Sequence, residues 1–215
     1  MQPSYDVDMR LDVKVPMRDG VNLSADIYLP RARGRFPTLL IRTPYSNNTP
    51  DMIEKGRAMA NRGYACVIQD CRGRWDSDGD FYPFHPDVED GFDTQEWVGA
   101  QEWSNGKIGM SGSSYLGIVQ WQSAPLRSKF LACLAPRVIC GDYYSQLVHP
   151  GGAFMLNVMA TWGMRTNART AQSIEYQNWT EVFRTLPLVD MDERAGRDLP
   201  FWKDWIEHPA DDDYW

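Results

Sequence analysis

Hydrophobic and polar positions alternate over the first thirty residues and then give way to continuous apolar runs. The alternation flanks the turn signal Arg18-Asp19-Gly20 and predicts an antiparallel hairpin, formed by residues 11–15 and 21–28, at the edge of a sheet. The continuous runs are short and end at proline, glycine or polar residues, which is typical of buried strands. They lie at residues 36–41, 64–69 and 130–140, with a further short strand around Ile108 and Met110.

Segments with the 3.6-residue period of helices separate these strands. Residues 51–62 follow the N-terminal signal Thr49-Pro50 and end at Gly63, and residues 87–101 begin with carboxylates, which favour the positive end of a helix. A third helix is predicted to start at Tyr115. Strands and helices that alternate in this order predict an α/β fold with a mostly parallel sheet.

The pattern changes after residue 141. No clear strand follows, and residues 146–164 and 174–206 carry apolar positions at helical spacing. We therefore expect residues 1–141 to form the sheet-containing core and residues 142–215 to form a helical cap.

The stretch Lys107-Ile-Gly-Met-Ser-Gly-Ser-Ser-Tyr-Leu-Gly117 joins a strand to a helix through three small residues. This layout is that of a nucleophile elbow, in which Gly112 and Gly117 let the backbone turn so tightly that the serine between them is strained and exposed. Ser114 is therefore the candidate nucleophile. A plain βα loop or a phosphate-binding turn also fits glycine and serine after a strand, but the usual nucleotide-binding glycine motifs are absent.

Composition and charge narrow the function classes. The chain has 215 residues, 43% hydrophobic and 24% charged, which indicates a globular protein able to bury a sizeable core. Its net charge is −7, and residues 190–213 hold nine acidic and three basic side chains, so the remainder contributes only about −1. Without a basic patch, we expect no nucleic acid and no anionic membrane as a partner.

The four cysteines show no metal-binding spacing. Cys66, Cys71, Cys133 and Cys140 form no C-x-x-C pair, and we expect no metal and no cofactor. Cys66 and Cys133 lie in apolar runs and are expected to be buried free thiols. The N-terminal residues lack the features of a signal peptide and no apolar run has the length of a membrane span, so a cytoplasmic location is expected.

Five motifs, in order along the chain, resemble those of the cocaine-esterase and X-Pro dipeptidyl-peptidase group of α/β hydrolases. They are Val15-Pro-Met-Arg-Asp-Gly20, Arg42-Thr-Pro-Tyr45, Gln69-Asp-Cys-Arg-Gly73 with Ser77-x-Gly79-x-Phe81, Glu89-Asp-Gly-Phe-Asp-Thr94, and the elbow Gly112-x-Ser114-Tyr-x-Gly117. The elbow departs from the usual G-x-S-x-G because its second glycine comes one position later. The resemblance implies an α/β-hydrolase core with a helical cap, followed by the remaining core strands and a C-terminal jelly-roll domain.

The resemblance also implies roles for four residues. Ser114 corresponds to the nucleophile, the backbone N–H of Tyr115 to one oxyanion donor and the phenolic O–H of Tyr45 to the second donor. Trp162 corresponds to a tryptophan of the cap that lines the acyl pocket, although a core tryptophan of an amphipathic helix fits the pattern nearly as well. Tyr45 also fits an ordinary loop tyrosine after a proline.

Three charged residues of the motifs are interpreted structurally. An arginine beside a strand end and an aspartate near a helix start usually form an ion pair or a cap, so Arg72 and Asp90 are expected to stabilise the fold. Asp70 is assigned the same kind of role rather than a catalytic one.

The expected general base is harder to find. In α/β hydrolases the acid and the histidine follow the serine, and only His149 and His208 lie after Ser114. Neither position matches the family's catalytic histidine, which the resemblance places beyond Trp215. We therefore expect an N-terminal part of a longer or split hydrolase, with an exposed sheet edge beside the strand at residues 130–140.

The function predicted from the sequence is hydrolysis of small-molecule carboxylic esters through an acyl-enzyme. An X-Pro dipeptidyl peptidase and an α-amino-acid ester hydrolase remain alternatives, and so does a catalytically incomplete fragment or binding scaffold. The uncharged segment Leu147-Val148-His149, aligned with acids of the α-amino-acid ester hydrolases, favours an ester without a free amine. The remainder of its own chain or a second copy is the expected protein partner.

Overall fold

Six strands of the first part of the chain form a single sheet. A computed structural model describes residues 5–215, which divide into two compact units, the first ending at Ile139 and the second comprising Cys140–Trp215. In chain order the strands are β1 (Val7–Pro16), β2 (Asn22–Pro30), β3 (Phe36–Thr43), β4 (Ala65–Asp70), β5 (Ser104–Ser113) and β6 (Leu131–Arg137).

The sheet is mixed and mostly parallel, as the sequence predicts. Its order is β1-β2-β4-β3-β5-β6, with β1, β2 and β4 paired antiparallel and the other neighbours parallel. The predicted hairpin is confirmed as β1 and β2. The register pairs Leu40 with Val67 on one side and with Met110 on the other, so the apolar runs lie side by side in the centre.

The last strand, β6, lies at the edge of this sheet, as expected. The prediction that Cys133 is buried is wrong, because the side chain is exposed on β6 while Cys66 is buried on β4. An edge strand has a neighbour on one side only, so an apolar sequence does not guarantee burial of its side chains.

Three helices of the first unit follow the predicted periods. They are α1 (Pro50–Asn61), α2 (Asp87–Gly99) and α3 (Tyr115–Ser123). Thr49 caps α1, accepting a hydrogen bond from the backbone N–H of Met52 at 3.4 Å. Gly63 adopts φ of 92°, the left-handed conformation that ends a helix and that glycine adopts without strain.

Helices cover both faces of the sheet. Successive strand residues point to opposite faces, so Leu40 belongs to the core cluster that contains Val98 of α2, and Ile41 to the cluster that contains Ala60 of α1 and Leu116 of α3. The strands therefore run through the middle of the first unit, and their carboxyl ends carry the loops described below.

The second unit is helical, as the absence of strand patterns predicts. Its helices are α4 (Leu156–Thr166), α5 (Trp179–Val182), α6 (Met191–Arg194) and α7 (Trp202–Glu207), with short π and 3₁₀ turns between Tyr144 and Gly152. Its core is aromatic, with Phe201, Trp202 and Trp205 fully buried. None of the helices within residues 5–215 combines the length and the hydropathy that crossing a membrane requires.

Candidate active site

Ser114 lies in a sharp turn between β5 and α3. Its backbone has φ of 57° and ψ of −130°, and its side chain is exposed. A Cβ at Gly112 would lie 2.8 Å from the carbonyl oxygen of Leu116, and one at Gly117 would lie 3.0 Å from that of Arg137 and would overlap Ile139. The two glycines therefore allow the backbone to pack tightly on either side of a strained serine, which is the geometry of a nucleophile elbow.

Backbone hydrogen bonds hold the serine in this conformation. Its N–H donates to the carbonyl of Arg137 at 2.9 Å, and its own carbonyl accepts from Gly117 at 2.8 Å and Ile118 at 2.9 Å. Within residues 5–215 the Ser114 hydroxyl makes no hydrogen bond. The turn therefore presents an exposed hydroxyl from a fixed main chain.

Tyr115, at the start of α3, is anchored by its phenol beneath the turn. The hydroxyl donates to Asp87 Oδ2 at 2.6 Å and accepts from the backbone N–H of Phe84 at 2.9 Å. The phenol ring stacks on Phe84 at 5.5 Å. Burial, and after it the Asp87 carboxylate, raises the pKa of the phenol well above its usual value, so it is protonated and able to donate. Tyr115 is the first residue of α3, so its backbone N–H lies directly after Ser114 in the chain.

A buried arginine balances the charge of Asp87. Arg42, at 0% exposure, pairs with Asp87 at 3.1 Å and lies 3.9 Å from Asp90, and its Nε donates to Gln69 Oε1 at 2.8 Å. Burial acts to lower the pKa of Arg42, but the carboxylates of Asp87 and Asp90 outweigh it and raise the pKa. Removing one partner of such a pair leaves an uncompensated buried charge, which is strongly destabilising.

Tyr45 follows the carboxyl end of β3, the strand adjacent to β5. Its side chain is 36% exposed, and its backbone N–H donates to Thr43 Oγ1 at 3.0 Å. Because β3 and β5 are parallel, their carboxyl ends lie at the same edge of the sheet, which is where α/β proteins bind ligands. The structure thus brings the loops of Ser114 and Tyr45 to one edge.

The loop after β4 holds the Tyr45 loop. Arg74 Nε donates to the carbonyl of Pro44 at 2.9 Å, and Trp75 Nε1 donates to the same oxygen at 3.2 Å. Asp70 Oδ1 accepts from the backbone N–H of Asn47 at 2.7 Å. Burial raises the pKa of Asp70 to about 7 and lowers that of Arg74 to about 10.

The predicted structural roles of Arg72 and Asp90 are confirmed. Arg72 Nη2 lies 2.6 Å from Asp90 Oδ1, and Arg72 Nη1 lies 2.7 Å from Asp19 Oδ2. The bridge ties the turn of the β1–β2 hairpin and the loop after β4 to the first turn of α2. Asp70 likewise holds a loop, through Asn47.

The remaining candidates lie in the second unit. The half-buried ring of Trp162, on α4, packs within 6.5 Å of the rings of Phe201 and Trp205. His149, 4% exposed, stacks on Tyr144 at 4.8 Å, and burial lowers its pKa. The ring of His208 lies 4.5 Å from that of Tyr214, and its Nδ1 lies 2.9 Å from Asp212 Oδ2.

Sequence reasoning did not identify the network of Arg42, Asp87 and the Tyr115 phenol. The available signal was Arg42 itself, which directly follows the apolar run at residues 36–41 and has to find a carboxylate if buried. From the sequence pattern, Asp87 is identified only as a carboxylate at the start of a helix. Among the described residues no cluster of histidine, cysteine or carboxylate side chains has the arrangement of a metal site.

A family model described as X-Pro dipeptidyl-peptidase (S15 family) matches residues 19–215. The chain belongs to this family. This chain is 34% identical to the cocaine esterase of Rhodococcus sp. (strain MB1 Bresler), over 95% of its own length and 39% of that protein. The match includes both the sheet and the helical unit that follows it.

Solved structures of similar proteins agree with this assignment. An α-amino acid ester hydrolase is 27% identical with a TM-score of 0.76, and the match covers 98% of this chain and 39% of that protein. A CocE/NonD family hydrolase from Staphylococcus aureus is 25% identical with a TM-score of 0.66. That match covers 96% of this chain and 37% of the other protein. The fold is therefore that of the α/β hydrolases, and the chain spans about two fifths of the length of the relatives it matches.

Proposed function

We propose that the complete protein is a serine hydrolase that cleaves carboxylic esters, with Ser114 as its nucleophile. The observation that carries the proposal is an exposed serine with φ of 57° directly before the first turn of α3. Backbone strain of this kind costs on the order of 1–3 kcal/mol and persists mainly at functional sites. The S15 family assignment supports the same role for the turn.

In the proposed reaction Ser114 Oγ attacks the ester carbonyl carbon while a base accepts the hydroxyl proton. The negative charge that develops on the carbonyl oxygen is stabilised by the backbone N–H of Tyr115 and the phenolic O–H of Tyr45. Collapse of the tetrahedral intermediate expels the alcohol, which takes the proton from the base, and leaves an acyl group on Ser114. Water then attacks the acyl-enzyme with the same assistance and releases the carboxylic acid.

We infer that the base and its orienting acid come from polypeptide outside these 215 residues. Both follow the serine in this fold, and the two histidines at later positions are engaged locally, His149 by aromatic rings and His208 by Asp212. Without these partners, only about 10³- to 10⁴-fold catalysis over water remains in a serine protease. Residues 1–215 alone are therefore proposed to be a catalytically incomplete part.

The substrate we propose is a small-molecule ester without a free α-amine. The names of two similar proteins, a cocaine esterase and an α-amino acid ester hydrolase, support an ester as the substrate class. Holding an α-ammonium needs a carboxylate, and the segment Leu147-Val148-His149 offers none. We also propose that residues 142–215 act as the cap and that Trp162 lines the acyl pocket, a role that fits a half-buried indole.

The description of the family favours a second candidate, an X-Pro dipeptidyl peptidase that would use the same serine on an amide. Comparing kcat/KM for p-nitrophenyl butyrate and for a Gly-Pro p-nitroanilide separates the two. The proposal expects the ester to be the far better substrate.

Fluorophosphonate labelling tests the nucleophile without knowledge of the substrate. The complete protein, as its gene encodes it, is treated with the probe and the modified residue is identified by mass spectrometry. We expect a single adduct on Ser114 because only an activated serine reacts. Ser114→Ala should abolish labelling and ester turnover, whereas Ser113→Ala, one position earlier on β5, should keep both.

Labelling of another serine, or ester turnover unchanged in Ser114→Ala, would contradict the proposal. Circular dichroism spectra matching those of the unsubstituted protein would confirm that each variant is folded.

A further inference from the structure

We propose that Arg74 and Trp75 are positioning residues for the reaction, because together they clamp the Pro44 carbonyl and thereby fix the Tyr45 phenol. The inference rests on the proposed function, in which that phenol is an oxyanion donor. Neither Arg74 nor Trp75 belongs to the five family motifs described above.

Two donors converge on one oxygen. The Nε–H of Arg74 reaches the Pro44 carbonyl oxygen at 2.9 Å, and the indole N–H of Trp75 reaches it at 3.2 Å. Arg74 is 0% exposed and Trp75 is half-buried, so water competes little for these bonds. Because the Pro44 carbonyl belongs to the same planar peptide unit as the Tyr45 N–H, fixing this oxygen fixes the orientation from which the Tyr45 side chain departs.

The opposite side of the same peptide unit is also held. The Tyr45 N–H donates to Thr43 Oγ1 at 3.0 Å, and two residues later the Asn47 N–H donates to Asp70 Oδ1 at 2.7 Å. The loop therefore has anchors before, at and after Tyr45, and the clamp is the only one of these that involves two side chains from a different loop.

The loop that carries the clamp is itself rigid. Backbone bonds join Arg74 to Cys71 at 3.0 Å, Ser77 to Arg74 at 2.9 Å and Gly73 to Asp78 at 2.9 Å. Gly73 has φ of 68° and a Cβ there would overlap the backbone of Phe81, so the tight turn requires glycine. The two donors are therefore carried by a loop whose own backbone conformation is fixed.

The backbone of Trp75, whose indole N–H donates to the Pro44 carbonyl, is strained. Its φ of 48° lies in the left-handed region, which a bulky side chain rarely occupies. A conformation of this kind persists only when the surroundings enforce it, and it is a reason to look for function. Here it directs the indole N–H at Pro44.

Arg74 also contributes a positive charge near the Tyr45 loop. Burial is the main influence on its pKa, which falls to about 10, and the Tyr45 phenol is among the groups whose negative charge acts to raise it. The guanidinium therefore places a buried positive charge beside the backbone of the Tyr45 loop, at the Pro44 carbonyl.

A double-mutant cycle in the complete protein tests the proposal. Tyr45→Phe should lower kcat about 10² to 10³-fold, the usual loss for one oxyanion donor. Trp75→Phe, which removes one clamp bond, should lower kcat about 10-fold with little change in KM, because misplacement of a catalytic group affects the transition state more than substrate binding. In the Tyr45→Phe background, Trp75→Phe should cause no further loss, because the two substitutions remove the same contribution. Arg74→Lys should behave like Trp75→Phe.

Trp103→Phe is the matched control. This core tryptophan precedes β5, at the amino ends of the same parallel strands, so the substitution should reduce stability and leave kcat unchanged. Fluorophosphonate labelling of Ser114 in each variant reports separately on the nucleophile. If Ser114 is labelled but Trp75→Phe keeps the parent kcat, or its loss multiplies fully with that of Tyr45→Phe, the positioning role is wrong while the hydrolase assignment stands. A Tyr45→Phe variant of normal kcat would overturn the positioning role as well.

Discussion

Tyr115 uses its two ends for different tasks. Its main chain begins α3 next to Ser114, while its phenol reaches down to Asp87 and to the backbone of Phe84. Because both phenol contacts are buried, the side chain fixes the position of the N–H that is proposed to meet the oxyanion. One residue thereby links the buried ion pair of Arg42 and Asp87 to the exposed turn.

Replacing Tyr115 by phenylalanine should therefore destabilise the protein. The change removes the donor to Asp87 and the acceptor for the Phe84 N–H, and leaving buried groups unpaired costs about 1–3 kcal/mol. Urea unfolding of the complete protein measures the free energy of unfolding. Tyr64→Phe, at a tyrosine that is 45% exposed, should change it by less than about 0.5 kcal/mol. Equal effects at the two positions would contradict the role given to the phenol.

At the residue scale, the sequence predicts sites whose residues are close together in the chain. Ser114 and its two glycines lie within six residues, so the turn can be recognised from local pattern alone. Arg42 and Asp87 are 45 positions apart, and only the folded sheet brings them together. The tyrosine oxyanion donor stays a prediction.

Helix α2 packs against its neighbours through glycines. A Cβ at Gly91 would lie 2.6 Å from the Cβ of Ser123 on α3, and a Cβ at Gly99 would overlap the ring of Phe130. The close approach lets Gln95 of α2 donate to Ser123 Oγ at 2.9 Å. The two helices thus meet closely behind the elbow.

Gly91→Ala should destabilise the protein despite the better helix propensity of alanine. Overpacking costs about 1–3 kcal/mol, which exceeds the roughly 1 kcal/mol that alanine gains over glycine in a helix. Adding Ser123→Gly removes the atom that Gly91→Ala meets, so the double variant should be more stable than the sum of the two single changes, as urea unfolding would measure. Strict additivity would show that the helices move apart at no cost.

Element boundaries followed from pattern, but the burial of β6 did not. Leu131–Arg137 has the apolar character of an interior strand, and this character predicts burial of Cys133. Burial of a strand depends on which strands flank it, and this is a property of the assembled sheet rather than of the run itself. The order of the sheet leaves Cys133 exposed.

The stability of the whole molecule should depend on pH through Asp70. Burial raises the pKa of this carboxyl from 3.8 to about 7, and its Oδ2 is buried with no hydrogen-bond partner among residues 5–215. Between these two pH values the folded protein holds a proton that the unfolded chain has released. This contribution therefore makes the free energy of unfolding fall as pH rises from about 4 to about 7, after which it is constant.

Asp70→Asn should flatten this dependence, because asparagine has no proton to release and can still accept from Asn47. Relative to the unsubstituted protein, the variant should gain stability progressively from pH 4 to pH 7, measured by urea unfolding at several pH values. A parallel shift of the Asp70→Asn curve at all pH values would refute the assignment.

Four residues other than glycine have a left-handed backbone near the candidate site. They lie in the Ser114 turn, in the Tyr45 loop, or in a loop that contacts one of these. They are Ser46, Trp75, Phe84 and Ser114, with φ values of 93°, 48°, 75° and 57°. Each conformation of this kind costs on the order of 1–3 kcal/mol. Selection for heat resistance alone would therefore favour glycine at these positions, and at Ser114 it would remove the proposed nucleophile. Under the proposed function, thermal stability and turnover are therefore opposed at Ser114 and Trp75, and a library selected for stability should leave these two codons untouched.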